Sequence, residues 1–312
     1  MRVGLILLAT AFLAGCATRP ANQPTVAPTA QAPAALDIVA AMDCLRERNL
    51  AVVSAHRGGY APGFPENAIE TFTYTTSRIP ALLETDIRQT RDRTLILMHD
   101  ETLDRTTTGT GDIASKDYGE LTKLQLKDDA GMVTPFGVPL LSAALEWGKD
   151  RAILKLDVKR TVDMADVLAL VRRMNADHRV VVIVYTLEDA IRVHSMAPGV
   201  MISVSIDSPD DLDQLIQKGV DPRQILAFTG TRSPNPALYA ALRSKGVEPI
   251  FGTLGRPAES LDTRYLADGN PSEFIDLVNA GVAIIATNKP VEVQRALVAA
   301  GKDGSACLAP QR

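Results

Sequence analysis

Eight polar side chains between positions 56 and 159 are of the types that handle phosphate esters: His56, Arg57, Glu84, Asp86, His99, Asp100, Asp157 and Lys159. Glu84 and Asp86 are spaced i, i+2, as are Asp157 and Lys159, so each pair would share one face of an extended strand. Three carboxylates, Glu84, Asp86 and Asp157, make a hard oxygen site suited to one divalent cation, Ca²⁺ or Mg²⁺, rather than zinc. Arg57 and Lys159 would offset the extra negative charge of a pentacoordinate phosphorus. Two histidines, His56 and His99, supply a base and an acid near neutrality. The inventory fits metal-assisted chemistry on a phosphate ester, provided that the fold gathers it. A lone acidic pair on a strand is usually a solvated face, but the strands carrying these charges otherwise read as buried. His178 and His194 lack such company and read as structural.

The elements that must gather these groups are short apolar, β-branched runs. They fall at 51–55, 82–87, 95–98, 153–158, 180–185, 201–206, 225–228, 250–253 and 282–285. Between most of them lie helical patterns such as VDMADVLALVRRM, SPDDLDQLIQKG and PSEFIDLVNAG. Several open with Ser, Asp or Pro and close at Gly, as helix caps prefer. This alternation predicts an α/β fold, a TIM (β/α)8-type barrel, with its site at the C-terminal ends of the strands. One connection departs from the rule. RQTRDRT, between Ile87 and Leu95, is too short for a parallel crossover and predicts an extra antiparallel hairpin strand. That hairpin would bring His99 back beside Glu84 and Asp86.

The chain has 312 residues, 46% of them hydrophobic, and a net charge of −4. That content supports one large barrel domain over 36–312, and nothing in the charge points to nucleic acid. The N-terminus reads as an address. Arg2 precedes an apolar run from Val3 to Gly15, a signal-peptide pattern over 1–15. It ends in Leu13-Ala14-Gly15-Cys16, which resembles a bacterial lipobox, with Cys16 as the lipidated residue. Residues 16–35 are rich in Pro and Ala and read as a tether. The expectation is a membrane anchor by N-terminal lipid. Ala17 stands where an Asp would favour the inner membrane, so the outer membrane, facing the periplasm, is expected. In that oxidising compartment Cys44 and Cys307, one at each end of the folded part, are a disulfide candidate.

Beside this reading stands a resemblance. The ordered set HRG (56–58), PEN (65–67), ETD (84–86) and TRDRTLILMHDETLDRTTTGTG (90–111) resembles the glycerophosphodiester phosphodiesterases of the phosphatidylinositol phospholipase C-like barrel superfamily. Weaker matches follow in TPFGVPLLSAALEW and KLDVK, and the likeness covers roughly 52–290. It implies that Glu84, Asp86 and Asp157 hold the cation, that His56 and His99 are the acid–base pair, and that Arg57 and Lys159 contact the phosphate. Asn67 and Phe251 are expected near the site. The implied reaction releases glycerol 3-phosphate and an alcohol through a cyclic phosphate, from a small-molecule phosphodiester. Competing expectations are phospholipase D-like cleavage of lysophospholipid or sphingolipid head groups, and a non-catalytic envelope-binding lipoprotein. The resemblance also makes 106–139 an insertion between strands, part of a lid. Three departures stand out. Asp157 replaces a frequent Glu, Asn288 replaces the Asp of an ITD-x-P motif, and FGTLG (251–255) replaces a WTVN-like strand. The glycines of FGTLG, Gly252 among them, are expected to open the mouth.

Overall fold

The structure is a computed structural model that describes residues 37–149, 151–256 and 258–308. The segment 1–15, Cys16 and the tether 16–35 lie outside the described residues. In chain order the strands are β1 (Val52–Ala55), β2 (Leu82–Gln89), β3 (Leu95–Leu97), β4 (Gln125–Lys127), β5 (Val133–Gly137) and β6 (Leu154–Val158). They continue as β7 (Val180–Val184), β8 (Met201–Ser205), β9 (Ile225–Phe228), β10 (Glu248–Gly252) and β11 (Ile284–Thr287).

Eight of these strands are parallel and close on themselves in the order β1, β2, β6, β7, β8, β9, β10, β11, with β1 paired to both β2 and β11. This is the expected TIM-type barrel. The hairpin strand is present too: β3 runs antiparallel along β2, with Ile87 opposite Leu97 and Gln89 opposite Leu95.

Local sequence explains the crossovers. Before the helix Pro209–Gln217, the Ser208 side chain accepts from the Asp211 N–H while the Asp211 carboxylate accepts from the Ser208 N–H. With Pro209 in the first turn, this is a capping box that starts the helix where the pattern predicts. Its Leu212 and Leu215 turn inward. The outer core forms where such faces meet the strands, joining Leu83, Leu156, Val182 and Ile202 to Leu145, Val171, Leu242 and Phe274.

A second core fills the end of the barrel where the strands begin. Val52, Leu82, Ile153, Val181, Met201, Leu226 and Ile250 meet Ile38, Ala41, Met42 and Leu45 of the helix Ile38–Arg48. That helix is capped by the Asp37 carboxylate, which accepts from the N–H groups of Val39 and Ala40. Cys44 on the same helix is bonded to Cys307 in the turn Ser305–Leu308, with 5.7 Å between their Cα atoms. The two ends of the described chain are thus pinned together under the barrel.

The insertion 106–139 holds structure that the sequence did not announce. β4 and β5 pair as an antiparallel hairpin, beside the short helix Tyr118–Leu121. Leu103, Ile113, Leu121, Leu126 and Val138 pack with Ala68, Ile96 and Met98 into a separate small core. Among the described residues no helix is long and apolar enough to cross a membrane.

Candidate active site

The mouth of the barrel is organised by what happens after β1. The chain leaves the strand in a tight turn, His56–Gly58, with Arg57 at φ 52° and Gly58 at φ 84°. Gly58 suits this backbone, and it also leaves room that a Cβ would not, since that atom would fall 2.4 Å from Cδ1 of Phe72. The turn aims the Arg57 backbone N–H at Glu84, whose Oε2 accepts at 2.6 Å.

Glu84 and Asp86 both leave β2 toward the mouth, and Asp157 on β6 is the register partner of Asp86. One carboxylate oxygen from each of the three lies within 4.8 Å of the others, so together they could hold a metal ion. Burial, then repulsion from Asp86 and Asp157, pushes the Glu84 carboxyl well above the usual carboxylate range. Such a cluster is costly without positive charge, and its donors are all hard oxygens; the residues fit a divalent cation. Lys159 supplies part of that charge, with Nζ 2.6 Å from both Asp86 and Asp157. Burial works against the Asp86 charge, but Lys159, His99 and Arg57 outweigh it and hold its carboxyl low.

Asn67 reaches this group indirectly. Its Nδ2 donates to Asp86 at 2.8 Å, and its Oδ1 accepts from the Thr85 hydroxyl and the Asp86 N–H. It is a brace for Asp86, itself left-handed at φ 58°.

His56 is fixed from behind. Its Nδ1 lies 2.6 Å from Asn288 Oδ1, while Asn288 Nδ2 donates to the Gly255 carbonyl. That second bond sets which way the amide faces, so the amide oxygen must accept from Nδ1–H and the ring's lone pair is left on Nε2. Asp262 holds Asn288 in turn through its backbone N–H, at 2.8 Å. Burial, then the nearby Arg57 charge, lowers the His56 pKa to about 4.

His99 has an analogous arrangement built from different residues. Its Nδ1 lies 2.7 Å from Asp100 Oδ1. Asp100 is gripped by Arg105 through two nitrogens, at 2.7 and 2.9 Å, which first among its neighbours holds its carboxyl well below the usual range. Arg105 also forks onto both oxygens of the buried Glu66, at 2.9 and 2.8 Å. Glu66 closes the path by accepting from Arg57 at 2.8 Å. A continuous chain of charged hydrogen bonds therefore joins Arg57 to His99. Glu66, Asp100 and Arg105 stood in the motifs quoted above, but nothing in their local spacing tells that they meet.

A cavity of about 180 Å³ opens beneath these groups, lined by His56, Glu84, Asp157, Tyr185, Phe228 and Leu254 among others. The Tyr185 hydroxyl donates to Asp157. Phe251 is not in this company. It is fully buried in the outer core, facing the helices. Gly252 does not open the mouth either, because a Cβ there would lie 2.7 Å from Thr231 and 3.5 Å from Phe228, which occupy the space. The aromatic ring at this edge comes from the end of β9.

A parallel barrel with carboxylates and two braced histidines at the strand ends defines a class, the barrels suited to phosphodiester chemistry. The sequence profile of the Glycerophosphoryl diester phosphodiesterase family matches residues 56–250, and the chain belongs to that family. A crystal structure of a glycerophosphoryl diester phosphodiesterase from Parabacteroides distasonis is similar at TM-score 0.76 and 28% identity, over 86% of this chain and 94% of the other. A glycerophosphodiester phosphodiesterase of Caldanaerobacter subterraneus is 28% identical over 166 residues, 49% of this chain and 65% of its own length. Glycerophosphodiester phosphodiesterase 1 of Bos taurus is 37% identical over 84 residues, 27% of this chain and 25% of its own. The chain thus matches less than two thirds of the length of these curated relatives.

Proposed function

We propose that the protein hydrolyses glycerophosphodiesters to glycerol 3-phosphate and an alcohol, with one divalent cation. The observation that carries this reading is the pair of histidines, each tied at Nδ1 to a fixed oxygen and standing beside a cluster of three carboxylates. His56, held neutral by burial, is suited to take a proton at Nε2 from the glycerol hydroxyl next to the phosphodiester. That oxygen attacks phosphorus, the bond to the alcohol breaks, and His99 protonates the departing oxygen. Water then opens the cyclic phosphate. Arg57 and Lys159 meet the charge on the phosphoryl oxygens. A divalent cation on Glu84, Asp86 and Asp157 would act as a Lewis acid at this point, and either Mg²⁺ or Ca²⁺ suits the donors.

The test is head-group release from glycerophosphocholine and lysophosphatidylcholine by the full-length protein, with Mg²⁺, Ca²⁺ or a chelator. His56→Ala serves as control. Metal-dependent release of choline from glycerophosphocholine is the expected result. Release from lysophosphatidylcholine alone would move the activity to intact lipid, and no release from either would remove the enzymatic reading. The lipid anchor at Cys16 belongs to the same proposal and rests on the sequence. Incorporation of labelled fatty acid by Cys16→Ser as strongly as by the wild type would contradict it.

A further inference from the structure

Lys155 is a charge that the reaction just described does not use. It stands on β6 two residues before Asp157, so both side chains leave the same face of the strand, and its register neighbour on β2 is Glu84. Lys155 is buried, at 3% exposure. Among the described residues its side chain makes no hydrogen bond and no ion pair. The groups around it are small and polar: Ser203 is buried, and the Ser54 hydroxyl is buried without a partner. All three line the same cavity as His56, Glu84 and Asp157. Barrel interiors are ordinarily packed with branched apolar side chains, as this one is further down at Val52, Leu82 and Ile153. An ammonium so largely removed from water is costly. The field of Glu84 and Asp157, the carboxylates that act on it, offsets the cost.

We propose that Lys155 is an internal counter-charge for the carboxylate triad, which keeps the barrel folded without metal and weakens its grip on a divalent cation. The inference rests on reading that triad as the metal site. Lys159 and Arg57 lie closer to solvent, at 13% and 17% exposure, and can turn to a phosphate. Lys155 is the most buried of the three, at 3%, and lies on the cavity side of the triad. A cation joining Glu84 and Asp157 meets its repulsion in a site largely shielded from water, where charge interactions are strong. Lys155 is in this sense a positioning residue of charge, which sets how much of the carboxylates' field is left for the metal.

Isothermal titration calorimetry with Mg²⁺ and with Ca²⁺, on the full-length protein without substrate, reads the effect. Lys155→Met removes the charge, and Lys155→Gln removes it while keeping a polar end. Both are expected to bind cation tighter, by roughly tenfold. Unchanged or weaker binding in either variant would overturn the proposal, and tightening in the Met variant alone would assign the effect to packing. Should both variants fail to fold, the wild type decides. With chelator it is expected to melt in one cooperative transition, and a barrel that is unfolded without metal would contradict the inference. The glycerophosphodiester assay can fail while this titration succeeds, and the reverse, because the titration involves no turnover.

Discussion

Arg105 grips Asp100 with two nitrogens and, through that carboxylate, sets the ring of His99. Asp100→Asn keeps the shape but weakens the charged bonds on both sides. The variant is expected to lose roughly 10²-fold in kcat with little change in KM, because the ring's orientation matters most as the proton moves. Steady-state kinetics on glycerophosphocholine read the split. A rise in KM at constant kcat would place Asp100 in substrate binding instead.

His56 carries a prediction about pH. Its pKa is lowered to about 4 in the folded chain, while an unfolded histidine titrates near 6.5. The unfolded state therefore binds the proton first as pH falls. Stability from this group is fully present above pH 6.5 and is lost between 6.5 and 4, by at most about 3 kcal/mol. Denaturant melts of wild type and His56→Gln, with chelator present, measure it. The variant should be less sensitive to acid over that window, and equal slopes would refute the assignment.

Asn288 sets the proton on His56, and Asn288→Asp replaces a neutral acceptor by a negative one. The imidazolium becomes easier to form, so the acid limb of the kcat/KM profile is expected to move up by about one pH unit or more. An unmoved limb would mean that another group governs it.

Gly58 is held at φ 84° beside Phe72. Gly58→Ala places a Cβ in that ring and strains the backbone, and should destabilise the fold by more than about 1 kcal/mol. The turn also presents the Arg57 N–H to Glu84, so activity is expected to fall further than thermal stability alone explains. A fully active, equally stable variant would show that the turn adapts.

The Cys44–Cys307 bond closes a separation of 263 residues at the end of the barrel away from the histidines. Replacing both cysteines by Ala should lower stability by roughly 2–5 kcal/mol and leave kcat unchanged at a temperature where the barrel is folded. Parallel melts and rates check both halves.

What the sequence revealed and what it hid follow from how far each contact reaches. Glu84 and Asp86 are legible because a strand has period two, and the seven residues of RQTRDRT leave a parallel crossover no room. The strand that was expected at 282–285 lies at Ile284–Thr287, since an apolar run extends beyond the ladder it feeds. Phe251 stands one position out of parity with the barrel interior. On β10 it is Ile250 that faces the barrel core and Phe251 that faces the helices. β4 and β5 were hidden because LQLK is barely longer than a turn and VTPFG contains a proline and exposed positions. The path from Glu66 through Arg105 to Asp100 joins two loops 39 residues apart, and no local pattern encodes it.

Helix Ile38–Arg48 seals the end of the barrel where the strands start, and the chain enters the domain there, at Asp37. The histidines open on the other end. A tag, dye or solid support joined directly at Asp37 would therefore sit at the sealed end, and the barrel could be immobilised by that side with its mouth turned to solution.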